Sequence, residues 1–365
     1  MASEYVSIDL HRRRSVIVRQ TPDGEVVDTV RIDNDPVALA HEVAKAGDDP
    51  EVVLEATYGW YWAVDVLEAC GASVHLAHPL GVKAFAYRRV KNDVRDATDL
   101  ADLLRMGRLP EAWIAPPYLR QLRELVRYRA KLVALRSGLK AQVHAVLAKK
   151  GVAVPMSDLF GTQGMALLRE ARLGTCYRMR VDSLLELIDA FDGEVTWLDQ
   201  RDRRAAAPPS RVHRDPTDPG VGATFAALFV VEIGDVARFA RPAQLCSWAG
   251  LTPKHHESDT TVVRGHVPKQ GSRLVRWAAV EAVHKLPYDR KLRADRDRIA
   301  ARRGRAVGKV AAARKLLTLV LYGLRDGHVP LPAAACGMTV GSVSDRGRAL
   351  VVCHDPRRRS ARSSA

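Results

Sequence analysis

The sequence predicts an α/β domain at the amino terminus followed by two mostly helical units, and three observations predict it. Short apolar strands alternate with helical stretches over residues 5–78. From Pro117 to Lys150 the apolar residues recur at helical spacings. A proline-rich, charged break, Ala207-Pro208-Pro209 through Pro216 and Pro219, then precedes a further mostly helical stretch over 220–330. These features divide the chain into an α/β domain (1–115), a helical connector (116–206), a carboxy-terminal domain (207–335) and a basic tail (336–365).

The α/β domain opens with three strands, Tyr5–Leu10, Ser15–Arg19 and Val26–Ile32, with Pro22-Asp23-Gly24 as the turn between the last two. A helix near Pro36–Ala46 and a strand at Val52–Glu55 follow. A helix at Tyr61–Ala69, led by Gly59-Trp60, then precedes a strand at Ser73–His78. A meander followed by alternating strands and helices predicts a domain of the ribonuclease H kind.

In the connector, Leu119, Leu122, Val126, Leu132, Leu135, Leu139, Val143 and Val146 form one apolar stripe. A second amphipathic helix at Ser183–Ala205 carries Leu184, Leu187, Ile188, Phe191, Val195 and Leu198. The pair predicts an antiparallel hairpin or a dimer-forming coiled coil. Between Leu119 and Lys150 the one acid is Glu124, among Arg120, Arg123, Arg127, Arg129, Lys131, Arg136 and Lys140. Exposed helices usually mix signs for pairing along the helix, so this imbalance predicts nucleic-acid contact by residues such as Arg120, Arg123, Arg127 and Lys131.

Composition agrees. The 57 Lys and Arg residues exceed the 42 Asp and Glu residues by 15, a surplus that points to a polyanion such as nucleic acid. No segment approaches the ~18–20 apolar residues of a membrane span. The first residues lack the layout of a signal peptide, so the expected location is the cytoplasm, around the nucleoid. The five cysteines are scattered without a close pair, which excludes a paired-cysteine zinc site and predicts reduced thiols.

Chemistry concentrates in four acids. Asp9 interrupts the first strand, Glu55 ends the fourth, and Asp93 and Asp96 fall three apart in Lys91-Asn92-Asp93-Val94-Arg95-Asp96-Ala97, on one face of a helix. Gathered carboxylates repel one another unless a cation neutralises them, which predicts a Mg²⁺ centre acting on phosphate. Actin-like ATPases also open with a strand ending in Asp, but Leu10-His11-Arg12-Arg13 lacks the glycine their phosphate loop requires.

Asp9, Glu55 and the Lys91–Ala97 block resemble the signature of bacterial insertion-sequence transposases of the DEDD type, whose first domain is similar to the Holliday-junction resolvase RuvC. The resemblance continues through Arg120-x-x-Arg123-x-Leu125 and Phe239. It extends to Leu245-x-x-Trp248-Ala249-Gly250-Leu251-Thr252-Pro253 and Lys269-Gln270-Gly271-Ser272-Arg273-Leu274-Val275-Arg276, covering about residues 5–325. It implies a RuvC-like domain, a coiled-coil connector and a carboxy-terminal transposase domain. In that last domain Ser258 of His255-His256-Glu257-Ser258-Asp259-Thr260 would be the nucleophile that forms a phosphoserine link with DNA. Many relatives carry Ser-Gly-Gly where this chain has Ser258-Asp259-Thr260. The resemblance further implies a bridge RNA pairing with donor and target DNA, and a dimer or tetramer.

Around Ser258, His255 and His256 are candidate bases or phosphate contacts, and Lys269, Arg273 and Arg276 are candidate phosphate clamps. Upstream, Pro219-Gly220-Val221-Gly222 before a helix at Ala223–Ile233 resembles the turn of a helix-hairpin-helix module, in which Gly220 and Gly222 would bring backbone N–H groups to DNA phosphate. Two alternatives stand beside the recombinase: a metal-dependent junction nuclease in which Ser258 is structural, and a non-catalytic nucleic-acid-binding remnant.

Overall fold

The computed structural model describes residues 4–85, 92–205, 221–284, 286–287 and 291–326. Lys91, Gly220, most of the proline-rich break and the basic tail lie outside these residues. The chain divides into two compact units, residues 1–116 and 117–365.

The first unit is a five-stranded sheet with helices on both faces. Strands β1 (Tyr5–Leu10), β2 (Arg14–Gln20) and β3 (Val26–Asp33) form the meander. Helix α1 (Pro36–Ala44), β4 (Glu51–Glu55), α2 (Trp60–Ala69), β5 (Ser73–Ala77), the short α3 (Pro79–Val82) and α4 (Asp93–Arg105) follow. The strand order is β3-β2-β1-β4-β5, with β1, β4 and β5 parallel and β2 antiparallel to both its neighbours. This order is consistent with the ribonuclease H-like domain that the strand pattern predicts.

Alternation along β1 and β4 sets the two layers. Val6, Ile8, Leu10, Val52 and Leu54 are buried against Leu39 and Val43 of α1 and Val64 and Leu67 of α2. On the opposite face Val53 and Ala77 pack with Leu100 and Leu104 of α4, while Val16 and Val18 meet Ala97. Ala97 and Ala101 have no accessible surface, so α4 rests on the sheet through small side chains that allow close approach.

The second unit begins with α5 (Pro117–Lys149), α6 (Thr162–Glu170) and α7 (Thr175–Ala205). Arg129 pairs with Asp199, Arg136 with Asp192, and Arg180 donates to Gln142. Rising numbers on α5 meet falling numbers on α7, so the hairpin is antiparallel. Its core has two clusters, one of Leu132, Val195 and Leu198 and one that includes Val143, Leu147, Val181 and Ile188. The acids that α5 lacks are supplied by α7, so part of the basic row is neutralised within the fold.

Helix α8 (Ala223–Ile233), a 3₁₀ turn at Val236–Arg238, α9 (Pro242–Trp248), the hairpin β6 (His255–Ser258) and β7 (Thr261–Arg264), α10 (Arg273–His284), α11 (Lys291–Arg303) and α12 (Arg305–Asp326) complete the unit. The β6–β7 hairpin is an addition to the mostly helical pattern read from the sequence. No helix among the described residues is long and apolar enough to cross a membrane.

Candidate metal centre and serine hairpin

The acidic centre follows from strand register. Tyr5 pairs with Glu51 and Ile8 with Leu54, so the next position sets Asp9 beside Glu55 at the carboxyl ends of parallel neighbours. Strands diverge in sequence direction here, with β2 and β3 on one side of β1 and β4 and β5 on the other. Such a switch point is where open α/β sheets usually bind ligands. Both acids lie on the face covered by α4.

Helix α4 brings the other pair. Asn92 caps it, its side-chain oxygen accepting from the Val94 N–H at 3.1 Å, so Asp93 and Asp96 both fall in the first turn. Carboxylates there are favoured by the N–H groups and dipole of the helix end. The ligand atoms of Asp9, His11 and Asp93 lie within 4.8 Å of one another. Among the described residues this is the cluster spaced to hold a cation; Glu55 and Asp96 sit beside it without belonging to it. Hard carboxylate oxygens with one imidazole nitrogen suit Mg²⁺ or Mn²⁺. His11 joins the cluster although it is not one of the four acids; it stands two residues past Asp9, just beyond the strand end.

Ser258 is the last residue of β6, opposite Thr261 across the two-residue turn Asp259-Thr260. Asp259 adopts φ 51°, a conformation that aspartate tolerates better than most residues. All four residues of β6 are exposed. Alternation puts His256 on the Ser258 side of the ribbon and His255 on the other, where its Nε2 lies 3.3 Å from Glu257.

Two strained loops hold the segment after the hairpin. A Cβ on Gly271 (φ +99°) would lie 1.8 Å from the Trp248 carbonyl oxygen, and one on Gly250 (φ +69°) 2.0 Å from that of Gln270. The Ser272 N–H donates to Trp248 O at 3.1 Å and Arg276 donates to Ala249 O at 3.0 Å. Burial, and secondarily Arg273, lowers the Arg276 pKa. Arg276 is thus partly spent within the fold, whereas Lys269 and Arg273 are exposed.

The connector arginines depart from the expected nucleic-acid row. Arg120 and Arg123 are buried. Arg123 donates to the carbonyls of Val231 and Glu232, Arg127 binds the Glu232 carboxylate, and Arg238 donates to Ile233 O. Two guanidiniums, Arg123 and Arg238, therefore satisfy carbonyls at the carboxyl end of α8, where unpaired carbonyls and the dipole favour cations, and Arg127 neutralises the Glu232 side chain there. Arg238 also lies over the rings of Phe239 and Trp248, at 4.3 and 4.8 Å, and burial lowers its pKa to about 10. Lys131 remains exposed. Gly222 caps α8 at φ −69° with open space where a Cβ would stand, so its backbone does not require glycine.

Comparison with known proteins places these features. Residues 6–150 match a profile of DEDD-type IS110 proteins described as "Transposase", and residues 217–296 match one described as "Transposase IS116/IS110/IS902 family". "Putative transposase y4qE" of Sinorhizobium fredii is 29% identical over 200 residues, 55% of this chain and 49% of that protein. The "Transposase for insertion sequence element IS1111A" of Coxiella burnetii is 25% identical over 272 residues, 68% of this chain and 74% of that protein. An "Insertion element IS110 uncharacterized 43.6 kDa protein" of Streptomyces coelicolor is 33% identical over 111 residues, 30% of this chain and 27% of that protein. The chain thus spans about half the length of the Sinorhizobium relative.

Proposed function

We propose that the chain, two of whose segments match profiles of IS110-type insertion-sequence transposases, is a transposase of that family and cuts and rejoins DNA through a covalent bond between Ser258 and a DNA phosphate. The observation that carries the reading is the convergence of Asp9 and Asp93 across β1 and α4 at the switch point of the sheet. Asp9 and Asp93, with Glu55 and Asp96 beside them, are the residues that would hold Mg²⁺. When bound there, the ion supplies Lewis-acid stabilisation of charge on phosphate oxygens.

Ser258 supplies the nucleophile. Its Oγ forms a bond to phosphorus as the bond from phosphorus to a sugar oxygen breaks; the serine proton leaves to a base and the sugar oxygen takes one up. His256, on the Ser258 side of the ribbon, is the candidate base. A sugar hydroxyl of a second strand then attacks the phosphoserine, restoring a phosphodiester without ATP. Exposure of β6 supports access by a duplex, and Lys269 and Arg273 are placed in the following segment to bind phosphate. The same reading includes donor and target DNA selected by a bridge RNA, and a dimer or tetramer. The surplus of 15 positive charges fits two nucleic-acid partners.

The test is a cleavage reaction with Mg²⁺, the element's flanking RNA and labelled DNA, resolved on a denaturing protein gel. Label should migrate with the wild-type protein and not with Ser258→Ala. A second reading, a metal-dependent junction nuclease, is favoured by the acidic cluster being complete without any residue of the hairpin. It predicts free cut DNA from both proteins, with loss in Asp9→Ala.

A further inference from the structure

His11 is built into the acidic centre by its backbone. Its N–H donates to Arg14 O at 3.1 Å, and its carbonyl accepts from Asn34 Nδ2 at 2.6 Å. Asn34 is itself fixed by Ser15 Oγ at 2.7 Å. The residue is therefore anchored at both peptide groups, while its side chain is 48% exposed and not wedged by packing. From this anchor its Nε2 reaches 3.2 Å from Asp9 Oδ2 and 3.5 Å from Asp93 Oδ2.

One ring nitrogen carries at most one proton, so it cannot give two carboxylates a well-formed hydrogen bond each. The two distances from the imidazole are those between neighbouring ligands of one ion, and the ligand atoms of all three residues lie within 4.8 Å of one another. Ligands about 2.1 Å from a shared cation stand about 3.0 Å apart at right angles and about 3.4 Å apart in a tetrahedron. We infer that His11 is a nitrogen ligand of this centre and selects Mn²⁺ over Mg²⁺. Mg²⁺ seeks oxygen and keeps its waters, whereas imidazole binds transition-metal ions more readily. The inference rests on the carboxylates being a metal centre.

The experiment uses the full chain stripped of metal, titrated calorimetrically with Mn²⁺ and with Mg²⁺, alongside pulsed electron paramagnetic resonance of bound Mn²⁺. Wild type, His11→Gln and Asp9→Asn are compared, with circular dichroism to show that each is folded. Directly bound imidazole should give a ¹⁴N coupling in wild type that His11→Gln lacks. His11→Gln should weaken Mn²⁺ about tenfold or more and Mg²⁺ by less than about threefold. Unchanged ¹⁴N coupling or unchanged Mn²⁺ affinity in His11→Gln overturns the assignment. Asp9→Asn separates the two levels. If it abolishes binding of both ions while His11→Gln matches wild type, the metal reading stands and the histidine ligand falls. If Asp9→Asn binds both ions like wild type, the carboxylate centre itself fails and His11 with it.

Discussion

Arg127 binds both oxygens of the Glu232 carboxylate, at 2.7 and 3.2 Å, and Arg123, one turn earlier, donates at 2.9 Å to the main-chain carbonyl of the same residue. Glu232 is only 5% exposed while Arg127 is 43% exposed. Removing the cation leaves a buried carboxylate, a loss of several kcal/mol when both partners are enclosed and less when one faces water. Arg127→Ala should therefore lower unfolding free energy by about 2 kcal/mol, and Arg123→Ala by about 2–3 kcal/mol. Urea denaturation measures both. If the arginines instead serve only as nucleic-acid contacts, stability will hold and binding alone will weaken.

Gly250 and Gly271 should be intolerant of any side chain. Each combines a positive φ with a carbonyl oxygen inside the space of a Cβ. Backbone incompatibility and overlap together predict that Gly271→Ala costs about 3 kcal/mol or more. Gly222→Ala, with an ordinary φ and open space, should shift stability by less than about 0.5 kcal/mol. Thermal melts of the two variants side by side test the contrast.

Asp9→Asn should separate the stability of the sheet from that of the metal centre. Without metal the amide keeps the shape and hydrogen-bonding oxygen of the carboxylate, so the melting temperature of the variant should stay within about 4 °C of wild type. With Mn²⁺ at a hundred times its dissociation constant, wild type should gain about 2.7 kcal/mol that Asp9→Asn does not. A metal-induced shift retained in the variant would place the ion elsewhere.

The thiols should differ in reactivity. Cys70 and Cys176 are exposed and Cys246 is buried. Burial raises the Cys246 pKa, opposed by Arg314 and a hydrogen bond with Thr318. The folded thiol stays neutral where the unfolded one ionises. Its contribution to stability is therefore complete below the unfolded pKa of about 8.5 and is lost as pH rises toward the folded value. Iodoacetamide at pH 8 should label Cys70 and Cys176 within minutes and Cys246 only on unfolding, as read by mass spectrometry.

Much of the first unit was legible because its signals are local. Apolar alternation located all five strands, and the spacing of Asp93 and Asp96 placed them on one helical turn. What escaped the sequence is held by partners far along the chain. The basic row of α5 reads as a nucleic-acid face until Asp192 and Asp199, more than fifty residues away, are seen to answer Arg136 and Arg129. Arg123 is further removed, its acceptors lying 108 and 109 residues on. The β6–β7 hairpin lies amid helices, and its strand signal is confined to the short β-branched run Thr261-Val262-Val263 after an aspartate turn. His11 is not legible from acid spacing, because it joins the cluster through an imidazole that the fold places beside Asp9 and Asp93.

Arg129 and Arg136 are seven positions apart on α5, as are their partners Asp199 and Asp192 on α7. The two ion pairs therefore repeat after one heptad, and they act as a vernier on the hairpin. Sliding either helix by a single turn would misalign both pairs at once. Sliding by a heptad would rebuild one and strand the other arginine without its acid. Apolar stripes such as Leu132, Val195 and Leu198 tolerate several offsets, since leucine and valine fill many holes alike. Charge supplies the uniqueness that the oily seam lacks, so exchanging the signs of one pair, Arg129→Asp with Asp199→Arg, should keep the alignment that either change alone would leave to Arg136 and Asp192.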